Sequence, residues 1–147
     1  MRSDVLNENS SSYGKQYQLE NVELVSAAKT LSLSDSGKTF MCESSGGAYE
    51  ITLPPATQNQ PGWNAKFVVQ EETPTADITI AAGSAIISIV SKDAGNDAAV
   101  STAGTQVSNV ILDTTAQKGD VVELMYDLEG EYVGTAFSGI NNGIQTS

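Results

Sequence analysis

Val121-Val122-Glu123-Leu124-Met125-Tyr126, then Asp127-Leu128-Glu129-Gly130-Glu131, then Tyr132-Val133-Gly134-Thr135-Ala136-Phe137 is the stretch that decides the fold. Successive side chains of an extended chain point to opposite sides, so Val122, Leu124 and Tyr126 share one face. Glu129-Gly130 supplies a turn, and on the return Tyr132, Gly134 and Ala136 lie opposite Val133, Thr135 and Phe137. The segment predicts an antiparallel hairpin with one buried face.

The same period of two recurs upstream. Val22 and Leu24 open a strand, Leu31 and Leu33 continue the theme, and Asp35-Ser36-Gly37 makes a turn. Phe40 and Cys42 then face one way while Thr39, Met41 and Glu43 face the other. After Ser45-Gly46-Gly47, Tyr49, Ile51 and Leu53 alternate with Glu50 and Thr52, which predicts a half-buried hairpin across that turn. Pro54-Pro55 ends the run because neither residue can donate to a ladder, and Gln60-Pro61-Gly62 is a second break. Ala65, Phe67 and Val69 resume the alternation, followed by Ile78 and Ile80 and a turn at Gly83-Ser84. Ile86 to Val90 is nearly all apolar and predicts a central strand covered on both faces. Lys92 to Gly104 reads as a long loop before the strand Val107 to Leu112. No solenoid-period repeat and no apolar stripe at helical spacing is present in the sequence.

With 147 residues, 39% of them hydrophobic and only 17% charged, the chain suits one core made of short strands. The expected fold is all-β, a single-domain β-sandwich or β-barrel of jelly-roll or tulip-like type, with an extended N-terminal arm. Residues 1–18 are that arm, 19–140 the β domain and 141–147 a C-terminal tail. Asn7, Asn9, Ser10, Ser11, Ser12 and Gly14 give the arm too little apolar surface to offset its own ordering entropy. Arm and tail are therefore expected to be held by a bound neighbour.

Seven Lys and Arg against 18 Asp and Glu give a formal charge of −11. Duplex phosphates are bound by cations that displace counterions, so nucleic acid is not an expected partner. Anionic lipid is disfavoured likewise, and the apolar stretch near Ala85 to Val90 is far shorter than the ~20 residues a spanning helix needs, so no membrane partner is expected. The N-terminus lacks the apolar core of a secretory signal and Cys42 has no intrachain partner, which suits synthesis in a reducing cytoplasm.

The chain contains no histidine, which removes the commonest general base and metal ligand and rules out Ser-His-Asp or Cys-His catalysis within it. Cys42, on the side of Phe40, reads as a small buried hydrophobe rather than a nucleophile. Asp120, Glu123, Asp127, Glu129 and Glu131 could hold a carboxylate pair for glycoside hydrolysis. Asp120 and Glu123 point to opposite faces, however, and a solvated hairpin edge that discourages aggregation explains the same residues. Asp127 to Glu131 lacks the ligand spacing of a calcium loop. Gly37-Lys38-Thr39 lacks the earlier glycine of a phosphate-binding loop and reads as a β-turn. No catalytic, cofactor-binding or metal-binding residue is therefore predicted. Trp63, after Pro61-Gly62, could anchor a partner or fold over the edge of the core. In the arm, Tyr13, Tyr17 and Leu19 are the apolar anchors that could grip another protein.

Leu33-Ser34-Asp35-Ser36-Gly37-Lys38-Thr39-Phe40, the alternating Ala48 to Pro54 ending Thr-Leu-Pro, and Gly62 to Val69 ending Lys-Phe-Val-Val occur in that order. This pattern resembles the capsid decoration, or cement, proteins of tailed phages. The closing Gly119 to Leu124 with Glu131-Tyr132-Val133 and Gly139 is similar to the strand pair that ends many phage capsid-decorating and tail-fibre modules. The resemblance covers about Leu31 to Gly139 and leaves the arm unmatched. It implies a non-enzymatic homotrimer on the outer surface of the virion, bound to the major capsid protein where capsomers meet. Deleting residues 1–18 is then expected to abolish capsid binding. The other reading is a tail-fibre or spike module that binds a receptor or glycan, with Trp63 and Tyr132 as contacts.

Overall fold

Period-two alternation becomes strands throughout the computed structural model, which describes residues 21–93, 105–140 and 142–147. They are β1 (Val22–Val25), β2 (Lys29–Thr30), β3 (Lys38–Cys42), β4 (Tyr49–Thr52), β5 (Asn64–Val69), β6 (Ile78–Ala81), β7 (Ile87–Asp93), β8 (Thr105–Val107), β9 (Asn109–Leu112), β10 (Val121–Tyr126), β11 (Tyr132–Ser138) and β12 (Ile144–Thr146). A seven-stranded sheet has the order β1-β3-β5-β10-β11-β7-β8, and a five-stranded sheet the order β12-β9-β6-β4-β2. The chain is thus an all-β sandwich of two mixed sheets.

The predicted hairpin is present: β10 and β11 are antiparallel, with Tyr126 opposite Tyr132 and Val122 opposite Ala136. The other predicted hairpin is not. The strands of Phe40-Cys42 and Tyr49-Leu53 are consecutive but belong to opposite sheets, β3 running parallel to β1 and β5, and β4 parallel to β2 and β6. Ser44 to Ala48 carries the chain from one layer to the other, with Gly47 at φ 106°, a conformation a side chain rarely tolerates. From β1 to β6 the chain alternates between the sheets, so each new strand lies beside the one laid down two strands earlier. These parallel pairs depart from the antiparallel Greek-key order of a jelly roll.

Two further expectations change. Ile87 and Ile89 are fully buried, whereas Ile86 and Val90 are 36% and 38% exposed, so β7 is covered on one face only. It lies between β11 and β8, one strand from the edge. The C-terminal tail needs no external neighbour to order it: Ile144–Thr146 pairs antiparallel with β9 and closes the edge of the smaller sheet. The arm, residues 1–18, and positions 94–104 of the expected loop lie outside the described residues.

Phe40 and Phe67, both fully buried, stack at 5.4 Å between ring centroids. Side chains of this size contribute roughly 1.5–3 kcal/mol each when fully buried. At one end Tyr132 packs edge-on against Trp63 and Tyr126, at 5.8 and 5.0 Å. Its hydroxyl donates to the Pro54 carbonyl at 2.6 Å and accepts from Asn59 Nδ2 at 2.7 Å, which ties the proline-rich loop to the core. Gly134 in β11 has a steric reason: a Cβ there would collide with the Glu123 carbonyl and stand 2.8 Å from Leu124 Cδ2.

Candidate functional site

Residues whose side chains point inward from the seven-stranded sheet build the core, so their neighbours in sequence point outward. The register aligns these outward residues into rows. Leu24, Met41, Val68, Val121 and Phe137 lie side by side across β1, β3, β5, β10 and β11, and Lys92 of β7 ends the row. Leu24 is 59% and Phe137 51% exposed, so this apolar row faces out of the sandwich. The next row reads Val22, Thr39, Lys66, Glu123, Thr135 and Val90. Its centre is an ion pair, Lys66 Nζ to Glu123 Oε1 at 2.9 Å. Beyond it a groove of about 620 Å³ runs over Thr39, Asn64, Lys66, Met125, Val133 and Thr135.

Chemically this face offers dispersion contact, apolar burial and a little charge. Its two rows carry Lys66, Lys92 and Glu123, two cations to one anion, in a chain with a charge of −11. The outward residues were each readable in the sequence, but their alignment was not, because alternation within a strand does not reveal which strand lies beside it. Val22 and Leu24 illustrate this: their alternation marks the strand, yet they form its solvent side while Val25 is buried.

The sequence-derived candidates lie elsewhere. Trp63 is only 3% exposed, its Nε1–H donates to the Ser32 carbonyl at 3.0 Å and its ring packs on Tyr132, so it serves the core instead of meeting a partner at the surface. Tyr13, Tyr17 and Leu19 lie outside the described residues. Cys42 is buried, and burial pushes its thiol up to about 12. Gly37 has φ 82° and opens β3 as the turn expected there.

The acidic hairpin separates into unlike parts. Asp120 is buried and not part of a solvated edge: its carboxylate accepts from Ser138 Oγ at 2.7 Å, Gly139 N–H at 2.7 Å and Gln117 N–H at 3.0 Å. Asp127 Oδ1 accepts the N–H groups of Glu129 and Glu131, both at 2.9 Å, and these bonds, Glu131's foremost, hold its carboxyl below the ordinary value. Its charge organises its own turn. Glu131 accepts from Ser88 Oγ at 3.3 Å and Gln106 Nε2 at 3.4 Å, joining β7 and β8 to the end of the hairpin. Among the described residues no group of three or more Cys, Asp or Glu is placed to hold a metal ion.

No protein-family model and no curated protein matches this sequence.

Proposed function

We propose that this protein is a structural subunit of a virus particle: a decoration or cement protein that binds the outside of a tailed-phage capsid as a homotrimer and bridges major capsid protein subunits. The observation that carries the reading is the outward-facing apolar row from Leu24 to Phe137 across five adjacent strands, exposed at its ends, Leu24 and Phe137, and half-buried at Met41, Val68 and Val121 between them. A contiguous apolar row on an outer face is characteristic of a surface that another protein covers. The resemblance of Leu33–Phe40 and Gly62–Val69 to decoration proteins supplies the kind of particle.

Charge and energetics favour the same assignment. A chain at −11 is repelled by packaged DNA, and outside the shell the same charge aids solubility. Binding to the assembled shell stabilises it by RT ln(1 + [L]/Kd), and linked copies raise the effective affinity without new kinds of contact. The tail-fibre reading draws no support from its aromatic candidates, since Trp63 and Tyr132 are both buried.

Incubating the purified protein with emptied heads of the phage that encodes it, followed by sedimentation, tests the proposal. Co-migration in a fixed copy number per head is expected. A protein left entirely at the top of the gradient overturns it.

A further inference from the structure

We infer that Asn142 and Gly143 form a self-modifying site: the Asn142 side chain loses its amide to attack by the Gly143 nitrogen, and the isoaspartate that results releases β12 from the edge of the smaller sheet.

The sequence supplies the reactants. Asn142-Gly143 is the one Asn-Gly pair of the chain, and glycine, with no Cβ, leaves its own backbone nitrogen unscreened. The structure supplies the setting. Asn142 is exposed, so water reaches it. Its φ of 63° makes it the one non-glycine residue in the left-handed region among the described residues, a conformation that asparagine adopts at some cost in strain. That strain lowers the cost of turning the residue toward the attacking nitrogen. Bonds hold the carbonyls of the pair: Thr115 Oγ1 donates to the Asn142 carbonyl and Asp113 N–H to the Gly143 carbonyl, both at 3.0 Å. The attacking atom is held more loosely, since Gly143 N–H meets the Ile140 carbonyl at 3.4 Å, beyond the ~2.7–3.2 Å of a firm bond.

The reaction balances with water alone. The Gly143 nitrogen bonds to Asn142 Cγ, the Cγ–Nδ2 bond breaks, and Nδ2 leaves as ammonia with the proton that the glycine nitrogen gave up. The product is a cyclic imide, and water then cleaves one of its two C–N bonds. Cleavage at Cγ leaves aspartate. Cleavage at the main-chain carbonyl leaves isoaspartate, whose backbone runs through Cγ and is one methylene longer. Either product adds a carboxylate to a chain already at −11.

The longer backbone does not fit. Gly143 packs so closely that a Cβ there would collide with Ser138 Oγ and stand 2.9 Å from Asp120 Oδ2. Ser138 and Asp120 are buried and bonded to each other at 2.7 Å, so the chain after Asn142 is what must move. That chain is β12, a three-residue strand at the end of its sheet. Its release uncovers Ile144, otherwise 6% exposed, and leaves β9 as the edge. A sealed edge becomes one that can pair with another chain.

The test incubates the full chain in mildly alkaline buffer, folded in one arm and in guanidinium in the other, and maps the peptide that follows cleavage at Glu131. In the folded arm a mass gain of about 1 Da is expected at Asn142 ahead of every other asparagine, with an isoaspartyl methyltransferase labelling the isoaspartate. Asn142→Gly, which suits a φ of 63° and lacks the amide, should abolish the gain and keep the fold. In the modified protein hydrogen exchange should show Ile144–Thr146 losing protection while β10 and β11 keep theirs. An Asn142 that stays intact in the folded arm over the time in which the unfolded arm converts overturns the site. Modified protein whose β12 amides remain protected overturns the release.

Discussion

Cys42 and Asp120 show how far a single residue can be read. The thiol of Cys42 lies in the same strand as Phe40, where the charged form would be stranded away from water, so burial pushes it up to about 12 and it is protonated at pH 8. A maleimide or aromatic disulfide reagent at pH 8 should leave Cys42 unmodified in the folded protein and label it fully in guanidinium; rapid native labelling would contradict the burial. Its side of the strand was legible because alternation with Thr39 and Met41 settles it. Asp120 was not legible, because its burial depends on Ser138 and Gly139, which the end of β11 brings onto the turn that Gln117 and Asp120 form. Replacing Asp120 with Ala takes the acceptor from the N–H groups of Gln117 and Gly139, while Ser138 Oγ still has the Ile140 carbonyl at 2.8 Å, and at about 1–3 kcal/mol for a buried donor left unmet the total loss should be about 3 kcal/mol. Urea unfolding measures it directly, and a loss below about 1 kcal/mol would show that water replaces the carboxylate.

Among the elements, β1, β2 and the start of β3 are held by a chain of charges. Lys29 Nζ meets Glu23 Oε1 and Lys38 Nζ meets both Glu23 Oε2 and Asp35 Oδ1, at 3.1 and 2.8 Å for the latter two. Lys29 chiefly, and then Lys38, hold the Glu23 carboxyl below its ordinary value of 4.5. For Asp35 burial acts to raise the value, but the bonds from Lys38 and Ser32 together outweigh it and leave the carboxyl below 3.8. Both groups therefore release their protons more readily folded than unfolded, so the stability they supply is present near neutral pH and is lost as the pH falls through and below the ordinary carboxylate range. Lys38, raised by Asp35 and Glu23, loses its contribution only above 10.5. Lys38→Met should lower the urea midpoint at pH 7 and flatten its decline between about pH 5 and pH 2. Equal slopes for the variant and the parent would remove this chain from any account of acid stability. The pairings of Glu23 with Lys29 and Lys38 were not visible beforehand, because they join strands whose neighbours the sequence does not name, whereas Asp35 and Lys38 are only three residues apart. Alternation located the strands, yet it is the same for a hairpin and for a crossing between layers, which is why Phe40-Cys42 and Tyr49-Leu53 read as partners and are not.

Across the whole molecule, the division of apolar residues between core and outer face decides what the protein can do. The interior is filled by residues such as Phe40, Phe67, Ile80 and Val110, all fully buried, while Leu24 and Phe137 stand outside it, 59% and 51% exposed. Substituting an exposed residue away from such packing changes stability by about 0.5 kcal/mol or less, whereas a charge buried beneath a neighbour costs several times that. Phe137→Glu therefore separates the two roles. The glutamate would stand between Val121 and Lys92 in the row, solvated in a lone subunit but desolvated beneath a neighbour. The variant should keep the parent's urea midpoint at subunit concentrations too low for association, and at micromolar concentrations it should sediment as a smaller species than the parent. In the proposed homotrimer every subunit would carry the substitution, so a penalty of about 2 kcal/mol per contact would be felt at each interface. A midpoint that fell by several kcal/mol in the isolated subunit would instead place Phe137 in the packing of β11, and the row would lose its claim to be a surface kept for assembly.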